Sequence, residues 1–426
     1  MKFTPNYNLV QELKWRGLLH QTVPGTEDML MEEMTSGYVG FDPTADSLHI
    51  GNLVPIILLV HLQRAGHKPY ALVGGATGMV GDPSGKKSER TLLDTDTIRH
   101  NLACQKKQLE QFLDFDCGAN SAEVVNNYDW FENMTFLDFI RDVGKHISVN
   151  YMMAKDSVKN RLEDGMSFTE FSYQLVQGYD FYHLWKSNNI SLQMGGSDQW
   201  GNIVTGTELI RRKGNGKGYA LTAPLITKTD GSKFGKSEGG NVWLDSSRTS
   251  PYEFYQFWMN TTDTDAARYI KIFTLHSEAY IENVLVQHQK APHLRLLQKE
   301  LAGYITRWVH GEEGYQMALA ATDILFGKAT ADSLRALSES DFFSIFDGVK
   351  KKEVSDIQGI GIVDMCADTG FLPSKSEAKR ALKENSVSVN SEKVSEEFTF
   401  SNADLINGKY VLLQRGKKNK FIIIKN

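Results

Sequence analysis

Residues 38–52 read Tyr-Val-Gly-Phe-Asp-Pro-Thr-Ala-Asp-Ser-Leu-His-Ile-Gly-Asn, and few folds accommodate them. Residues 37–42 read as a strand, Pro43 ends the run, and a small polar loop leads into a helix over 51–65 with an apolar face from Ile56 to Leu62. Asp46 or Ser47 is the expected N-cap. Gly66-His-Lys-Pro69 then turns the chain into a second apolar strand, Tyr70-Ala-Leu-Val-Gly-Gly75. Strand, helix and strand in about forty residues make a βαβ unit with a right-handed crossover, the building block of a doubly wound parallel sheet. The junction aims bare N–H groups and the positive end of a helix dipole at whatever lies above it. His49 adds a ring donor and Gly51 removes a side chain, a combination suited to a polyphosphate. A polar turn before a buried helix is the competing reading, because short motifs match by chance.

The chain has 426 residues, more than one ordinary core accommodates, which predicts two or three domains. A net charge of −5 excludes a global basic field. Cys104, Cys117 and Cys366 have neither zinc-ligand nor redox spacing, so reduced thiols in a cytoplasm are expected. The first residues lack the apolar core of a signal peptide, and the apolar run Leu53–Val60, interrupted by Pro55, is too short to span a bilayer.

Around the βαβ unit, 8–20 and 97–113 read as helices. The loop after the second strand, Gly74-Gly-Ala-Thr-Gly to Arg90, carries Asp82, Lys86, Lys87 and Arg90 but fits neither a Walker A nor a dinucleotide template. It stands at the carboxyl end of a strand, where doubly wound sheets bind ligands, although a solvated basic loop would read the same way. Residues 121–150 read as an insertion between the halves of the sheet.

Residues 168–186 have helical spacing that places Tyr173, Gln177 and Asp180 on one face, among Phe168, Phe171, Leu175 and Phe181. Such a half-buried polar face needs partners, and a small polar ligand supplies them. Leu192-Gln-Met-Gly-Gly-Ser-Asp198 reads as a strand ending in a glycine turn, with a helix from about Gln199. After a strand over 220–227, Lys228-Thr-Asp-Gly-Ser-Lys-Phe-Gly-Lys-Ser-Glu-Gly-Gly240 is a mobile loop whose Lys233 and Lys236 can reach an anion.

Residues 250–325 read as helical, starting at Ser250-Pro-Tyr-Glu253. The tail has short helices at 357–366 and 374–382, the second opening on the capping box Ser374-Lys-Ser-Glu377, and strands at Val387, Tyr410 and Phe421. From Lys350 onward 14 lysines and arginines face 10 acids, a net of +4 on a body of −9. Lys375, Lys379, Arg380 and Lys383 on a helix, with Arg415, Lys417, Lys418 and Lys420 in a hairpin turn, form a modest nucleic-acid signature. No His/Cys cluster has metal-ligand spacing, and no nucleophile–base–acid set stands out.

The order of these pieces resembles the class I aminoacyl-tRNA synthetases. His49-Ile-Gly-Asn52 stands for their HIGH motif and Lys233-Phe-Gly-Lys-Ser237 for KMSKS. Gly74-Gly-Ala-Thr-Gly, Gly81-Asp-Pro-Ser-Gly-Lys-Lys-Ser-Glu-Arg90, Phe168-Thr-Glu-Phe-Ser-Tyr173, Gly195-Gly-Ser-Asp-Gln-Trp-Gly-Asn202 and Ser250-Pro-Tyr-Glu-Phe-Tyr-Gln-Phe257 are similar to the bacterial tyrosyl-tRNA synthetase family in particular. The fourth HIGH residue is Asn52, an amide that donates but carries no charge.

The resemblance implies a Rossmann-like catalytic domain over 1–228 with a dimer-forming insertion near 115–150, a mobile loop at 229–249, a helical domain at 250–330 and a small α+β RNA-binding domain at 350–426. It implies ATP-dependent attachment of L-tyrosine to tRNA(Tyr) through a tyrosyl-adenylate, in a cytoplasmic homodimer. It places Tyr38 and Asp180 at the substrate hydroxyl, Asp82, Tyr173 and Gln177 at its amino group, and Gln193 in the same pocket. Thr44, His49 and Asn52, with Gly40, Asp42 and Gly51, hold the nucleotide; Gly195, Gly196 and Asp198 meet its ribose; Lys86, Arg90, Lys233 and Lys236 close on the pyrophosphate. ATP is a substrate accompanied by Mg²⁺, with no tightly bound cofactor and no protein metal cage. A tryptophanyl-tRNA synthetase shares the architecture but lacks the Tyr38/Asp180 pair, and a retired synthetase that only binds RNA would have lost His49 or the lysines.

Overall fold

The computed structural model describes residues 3–84, 93–155, 158–159, 165–232, 234–237, 240–325, 330–346, 349–416 and 419–426. The chain divides into two compact units: Met1–Asp245 with Thr261–Leu301, and Ser246–Asn260 with Ala302–Asn426. The division runs through the 250–330 stretch that the sequence groups into one helical domain: the Pro251–Met259 helix belongs to the second unit, the Asp263–Phe273 and Glu278–Lys290 helices to the first.

The first unit holds six strands: β1 (Gln21–Thr22), β2 (Ser36–Phe41), β3 (Lys68–Val73), β4 (Glu123–Asn126), β5 (Ile190–Gly196) and β6 (Tyr219–Ala223). Their order is β1-β6-β5-β2-β3-β4, and every pair except β1–β6 is parallel. Only the two-residue edge strand β1 departs from the doubly wound pattern. β4 corrects the sequence reading, which put 121–150 in an insertion: Glu123 to Asn126 pairs with Tyr70 to Val73 as the outer strand. Four residues with two valines are too short for an alternation signal, so only the sheet reveals their state.

From β2 the chain winds outward through β3 and β4, then returns to β2's other side for β5 and β6. β2 and β5 therefore flank the topological switch point. Their pairing ends at Tyr38–Gln193 although β2 runs to Phe41 and β5 to Gly196, so the strands part at their carboxyl ends. The helix after β2, Leu53–Arg64, is buried on nearly every side, and Pro55 sits in its first turn, where no intrahelical N–H is lost. The 21-residue helix Phe168–Asn188 and the helix Trp200–Gly214 cover the sheet face bearing Tyr38, Tyr70 and Leu72, with Phe181, Leu184, Leu209 and Ile210 filling the space.

The second unit carries a further five-stranded sheet: β9 (Lys350–Val354), β10 (Val387–Val389), β11 (Glu392–Lys393), β12 (Tyr410–Arg415) and β13 (Asn419–Lys425), ordered β11-β10-β12-β13-β9; the loop ribbon β7 (Lys236–Ser237) with β8 (Gly240–Asn241) belongs to the first unit. Alternation divides the strand residues between two cores. Val411, Leu413, Phe421 and Ile423 face the Ile362–Asp368 and Lys375–Lys383 helices, while Tyr410, Leu412, Ile422 and Ile424 face Phe342, Ile345, Phe346 and Tyr252. Only half of the expected capping box forms. Ser374 accepts from the Glu377 N–H, but the Glu377 carboxylate turns to Arg380 and Arg415. Lys417 and Lys418 lie outside the described residues.

Candidate active site

The opening between β2 and β5 is lined from one sheet face. Tyr38 and Gln193 stand side by side in register, both buried. Two residues further along each strand come Gly40 and Gly195, which put no side chain on that face. Gly40 is the one exposed position of β2, so ligand and backbone can approach closely there.

Asp180, on the long helix, is 1% exposed, and its charge is felt by Tyr38. Each of its oxygens already accepts one bond: Oδ2 from Asn127 Nδ2 at 3.0 Å, Oδ1 from Trp130 Nε1 at 2.9 Å. Burial nevertheless pushes its carboxyl up to about 8; the Asn127 and Trp130 donors oppose the shift, and the charge of Asp42 adds to it. Burial, and then the charge of Asp180, raises the Tyr38 phenol well above its ordinary value. The Tyr38 hydroxyl is buried and finds no hydrogen-bond partner among the described residues; the same holds for the side-chain oxygens of Gln174, Gln177 and Gln193. Buried polar groups rarely stay unpaired. Tyr38 and Gln193 are cross-strand neighbours close to the Asp180 carboxylate, an arrangement whose unpaired polar groups a polar ligand could satisfy.

Toward the carboxyl ends a second network begins at Asp42. It accepts from Tyr173 Oη at 2.9 Å and Thr77 Oγ1 at 2.7 Å. Thr77 Oγ1 in turn accepts from Asn127 Nδ2 at 3.0 Å, which joins the Asp42 and Asp180 groups. Gly74 makes the junction possible: a Cβ there would lie 2.2 Å from Thr77 Oγ1 and 2.3 Å from Asp42 Oδ1. Tyr173 is raised well above its ordinary value by burial, then by the charges of Asp42 and Asp82. Asp82 accepts from Gln199 Nε2 at 2.7 Å and from the Ser84 N–H at 3.0 Å. Asp198 is raised by burial and by the nearby charge of Asp82. Several acids crowd a half-closed space, an arrangement that favours a bound ammonium or hydroxyl-rich group.

The His49 turn also differs from expectation. Ile50–Asn52 is a 3₁₀ turn capped by His49, not by Asp46 or Ser47. His49 Nδ1 accepts from the Gly51 N–H at 3.0 Å, and Asn52 Oδ1 accepts from the His49 N–H at 3.0 Å. Ser47 is committed elsewhere, accepting from Gln108 Nε2 and from the Asp245 N–H. The asparagine in the fourth HIGH position thus closes the turn with its oxygen. The lysine loop runs alongside: Ile50 N donates to Val242 O at 2.9 Å, Leu244 N to Leu48 O at 2.8 Å, and the Trp243 ring stands edge-on to His49 at 6.0 Å. Gly235 rests against Ile50 and Gly51, whose nearest atoms are 3.5 and 3.7 Å from where its Cβ would be. Thr44 lies just past β2, its N–H on Asp42 O at 2.8 Å. Lys86, Arg90 and Lys233 fall outside the described residues; Lys236 opens the ribbon strand β7 by its backbone.

Residues 31–327 match the family of class I tRNA synthetases (W and Y), and residues 341–423 match the tyrosine--tRNA ligase SYY-like C-terminal domain. A tyrosine--tRNA ligase of Flavobacterium johnsoniae is 60% identical over 98% of this chain and 99% of its own length. One of Bacteroides fragilis is 57% identical with the same coverage. The chain belongs to the tyrosine--tRNA ligase family of class I tRNA synthetases. Among solved structures, a C-terminally truncated mitochondrial tyrosyl-tRNA synthetase of Aspergillus nidulans superposes with a TM-score of 0.67 at 30% identity, over 75% of this chain and 95% of that one. The fold also matches a tyrosyl-tRNA synthetase of Archaeoglobus fulgidus, at 0.53 and 20% identity over 73% of this chain and 99% of that one.

In this tyrosine--tRNA ligase family member Thr77, Asn127, Trp130 and Gln199, which the sequence reading does not single out, hydrogen-bond the candidate site residues Asp42, Asp180 and Asp82. Thr77 and Gln199 lie inside the quoted motifs, Asn127 and Trp130 in the stretch read as an insertion. Their one sequence signal is polarity next to a glycine turn or an apolar strand, which does not say where a side chain points.

Proposed function

We propose that this chain activates L-tyrosine with ATP and transfers it to tRNA(Tyr), with the opening between β2 and β5 as the tyrosyl-adenylate site. The observation that carries the proposal is the buried Tyr38 hydroxyl, unpartnered among the described residues, beside an Asp180 carboxylate fixed by Asn127 and Trp130. Such a pocket rewards a para-hydroxylated ring and leaves polar groups unpaired around any other. In the first step a tyrosine carboxylate oxygen bonds to the α-phosphorus of ATP, the bond to the bridging oxygen breaks, and pyrophosphate leaves with the electron pair. The nucleophile is already ionised, so no general base is needed, and rate comes from positioning and from donors aimed at the phosphates. In the second step a ribose hydroxyl of the tRNA end attacks the acyl carbon and AMP leaves.

In this reading Tyr38 and Asp180 hold the phenol, Asp82, Tyr173 and Gln177 the ammonium, and Gln193 belongs to the same substrate pocket. Gly195, Gly196 and Asp198 take the ribose. Thr44, His49, Gly51 and Asn52, with the bare Gly40 and Asp42, take the nucleotide, supplied as its magnesium complex. Lys86, Arg90, Lys233 and Lys236 draw the pyrophosphate away. The tail from Lys350 onward grips tRNA, which fits its net charge of +4 and the match of residues 341–423 to a ligase C-terminal domain. The exposed row Phe136, Leu137 and Ile140, with Val149 and Met153 on the next helix, supports a homodimer. No helix among the described residues is long and apolar enough to cross a membrane. The three free cysteines fit a reducing cytoplasm.

Amino-acid-dependent pyrophosphate exchange across tyrosine, tryptophan and phenylalanine tests the proposal. Exchange with tyrosine alone is expected; equal exchange with tryptophan, or none with any, overturns it.

A further inference from the structure

The helix Asp263–Phe273 is absent from the site described above, yet it touches the lysine loop at Thr229 and Phe234 and the residue just before the loop, Thr227. Asp265, 3% exposed, accepts from the Thr229 N–H through Oδ1 and from Thr229 Oγ1 through Oδ2, both at 3.1 Å. Arg268 donates to Thr227 O at 2.9 Å. Phe234 then lies against two rings of the same helix, stacked on Phe273 with centroids 5.1 Å apart and edge-on to Tyr269 at 5.1 Å. The next residue is Gly235, which rests on Ile50 and Gly51, the turn that His49 caps.

We propose that the Asp263–Phe273 helix is the seat of this loop, with Phe234 and Asp265 as positioning residues for amino-acid activation. The proposal rests on the reading that Lys236 acts on the nucleotide. Phe234 and Gly235 form a two-point anchor: one ring fixed on Tyr269 and Phe273, one backbone laid on Ile50 and Gly51. Asp265 holds the loop's entry at Thr229. Phe234 and Gly235 directly precede position 236, so the point from which that residue leaves the loop is set by a helix outside the site. Hydrophobic seating of a ring is tolerant of shape but not of removal, because dispersion and burial scale with the atoms in contact. A leucine at 234 therefore keeps most of the seat, and an alanine empties it.

Four full-length variants test this: Phe234→Ala, Phe234→Leu, Asp265→Ala and Lys236→Ala. The measurements are single-turnover adenylate formation, tyrosine KM and thermal melting. Phe234→Ala is expected to slow activation on the order of tenfold with tyrosine KM changed less than about twofold, the pattern of an interaction used in the transition state. Phe234→Leu should restore most of the rate, and Asp265→Ala should resemble Phe234→Ala. A normal rate in Phe234→Ala, a Phe234→Leu as slow as the alanine, or a tyrosine KM that rises in step with the lost rate each overturns the seat. A slow Lys236→Ala beside a normal Phe234→Ala refutes the seat alone. A silent Lys236→Ala refutes the loop reading itself and removes the seat's purpose.

Discussion

Replacing Asp180 with asparagine changes little in shape and much in hydrogen bonding. The two carboxylate oxygens accept from different donors, Asn127 Nδ2 and Trp130 Nε1. An asparagine has one oxygen, so its NH₂ must face one of those N–H groups. The buried donor left unpaired costs about 1–3 kcal/mol, and the lost charge-assisted bond to the substrate phenol costs about 1.5–3 kcal/mol more. Together these predict a kcat/KM for tyrosine lower by roughly 10²- to 10⁴-fold. Phenylalanine has no phenol to lose, so only the first cost falls on it. Discrimination between the two should therefore drop by about 10- to 150-fold, the factor that corresponds to the phenol bond alone. Pyrophosphate exchange with each amino acid, on the same preparation, gives both numbers. A tyrosine-to-phenylalanine ratio kept within about threefold of the wild-type value would refute the assignment of Asp180 to the hydroxyl.

The same residue makes a proton prediction. With its carboxyl pushed up to about 8 by burial, Asp180 is mostly protonated at neutral pH in the free site. A phenol that donates to it favours the ionised form, so tyrosine affinity should rise as pH increases toward 8, with up to about one proton released per tyrosine at pH 7. Calorimetry in buffers of different ionisation enthalpy reads that release; its absence in wild type, or its persistence in Asp180→Asn, contradicts the mechanism. Arg16 is 3% exposed and donates to the carbonyls of Lys271, Thr274 and His276, tying the first helix to the end of the Asp263–Phe273 helix. Arg16→Met should cost about 2–4 kcal/mol by leaving buried carbonyls unpaired, measurable in urea unfolding, while an unchanged midpoint refutes the tie. Gly74→Ala pushes a methyl into Asp42 and Thr77, so it should destabilise by about 1–3 kcal/mol and raise tyrosine KM; a neutral alanine there would mean the network yields freely.

Parts of this site were legible in the sequence because they are local. Helical spacing alone placed Tyr173, Gln177 and Asp180 on one face of a helix now seen to bear Tyr173 and Asp180 as buried groups. Strand–helix–strand spacing implied the parallel pair β2–β3. The N-cap was misread because Ser and Asp are the usual caps, whereas Ser47 is claimed by Gln108 and Asp245, far along the chain, and His49 closes the turn with Asn52. Asn127 and Trp130 were not legible. They reach Asp180 only because β4 pairs with β3, and nothing between residues 73 and 123 announces that pairing.

By itself the sequence determined the alternation of strand and helix, the glycine turns at the strand ends and the order of the motifs, since these follow from backbone preference over a few residues. Only the tertiary structure decided which polar groups are buried, which of them already have partners, and that Asp180 carries a raised carboxyl beside a phenol unpaired among the described residues. Those properties depend on desolvation and on neighbours brought in from distant positions, and no local pattern encodes either.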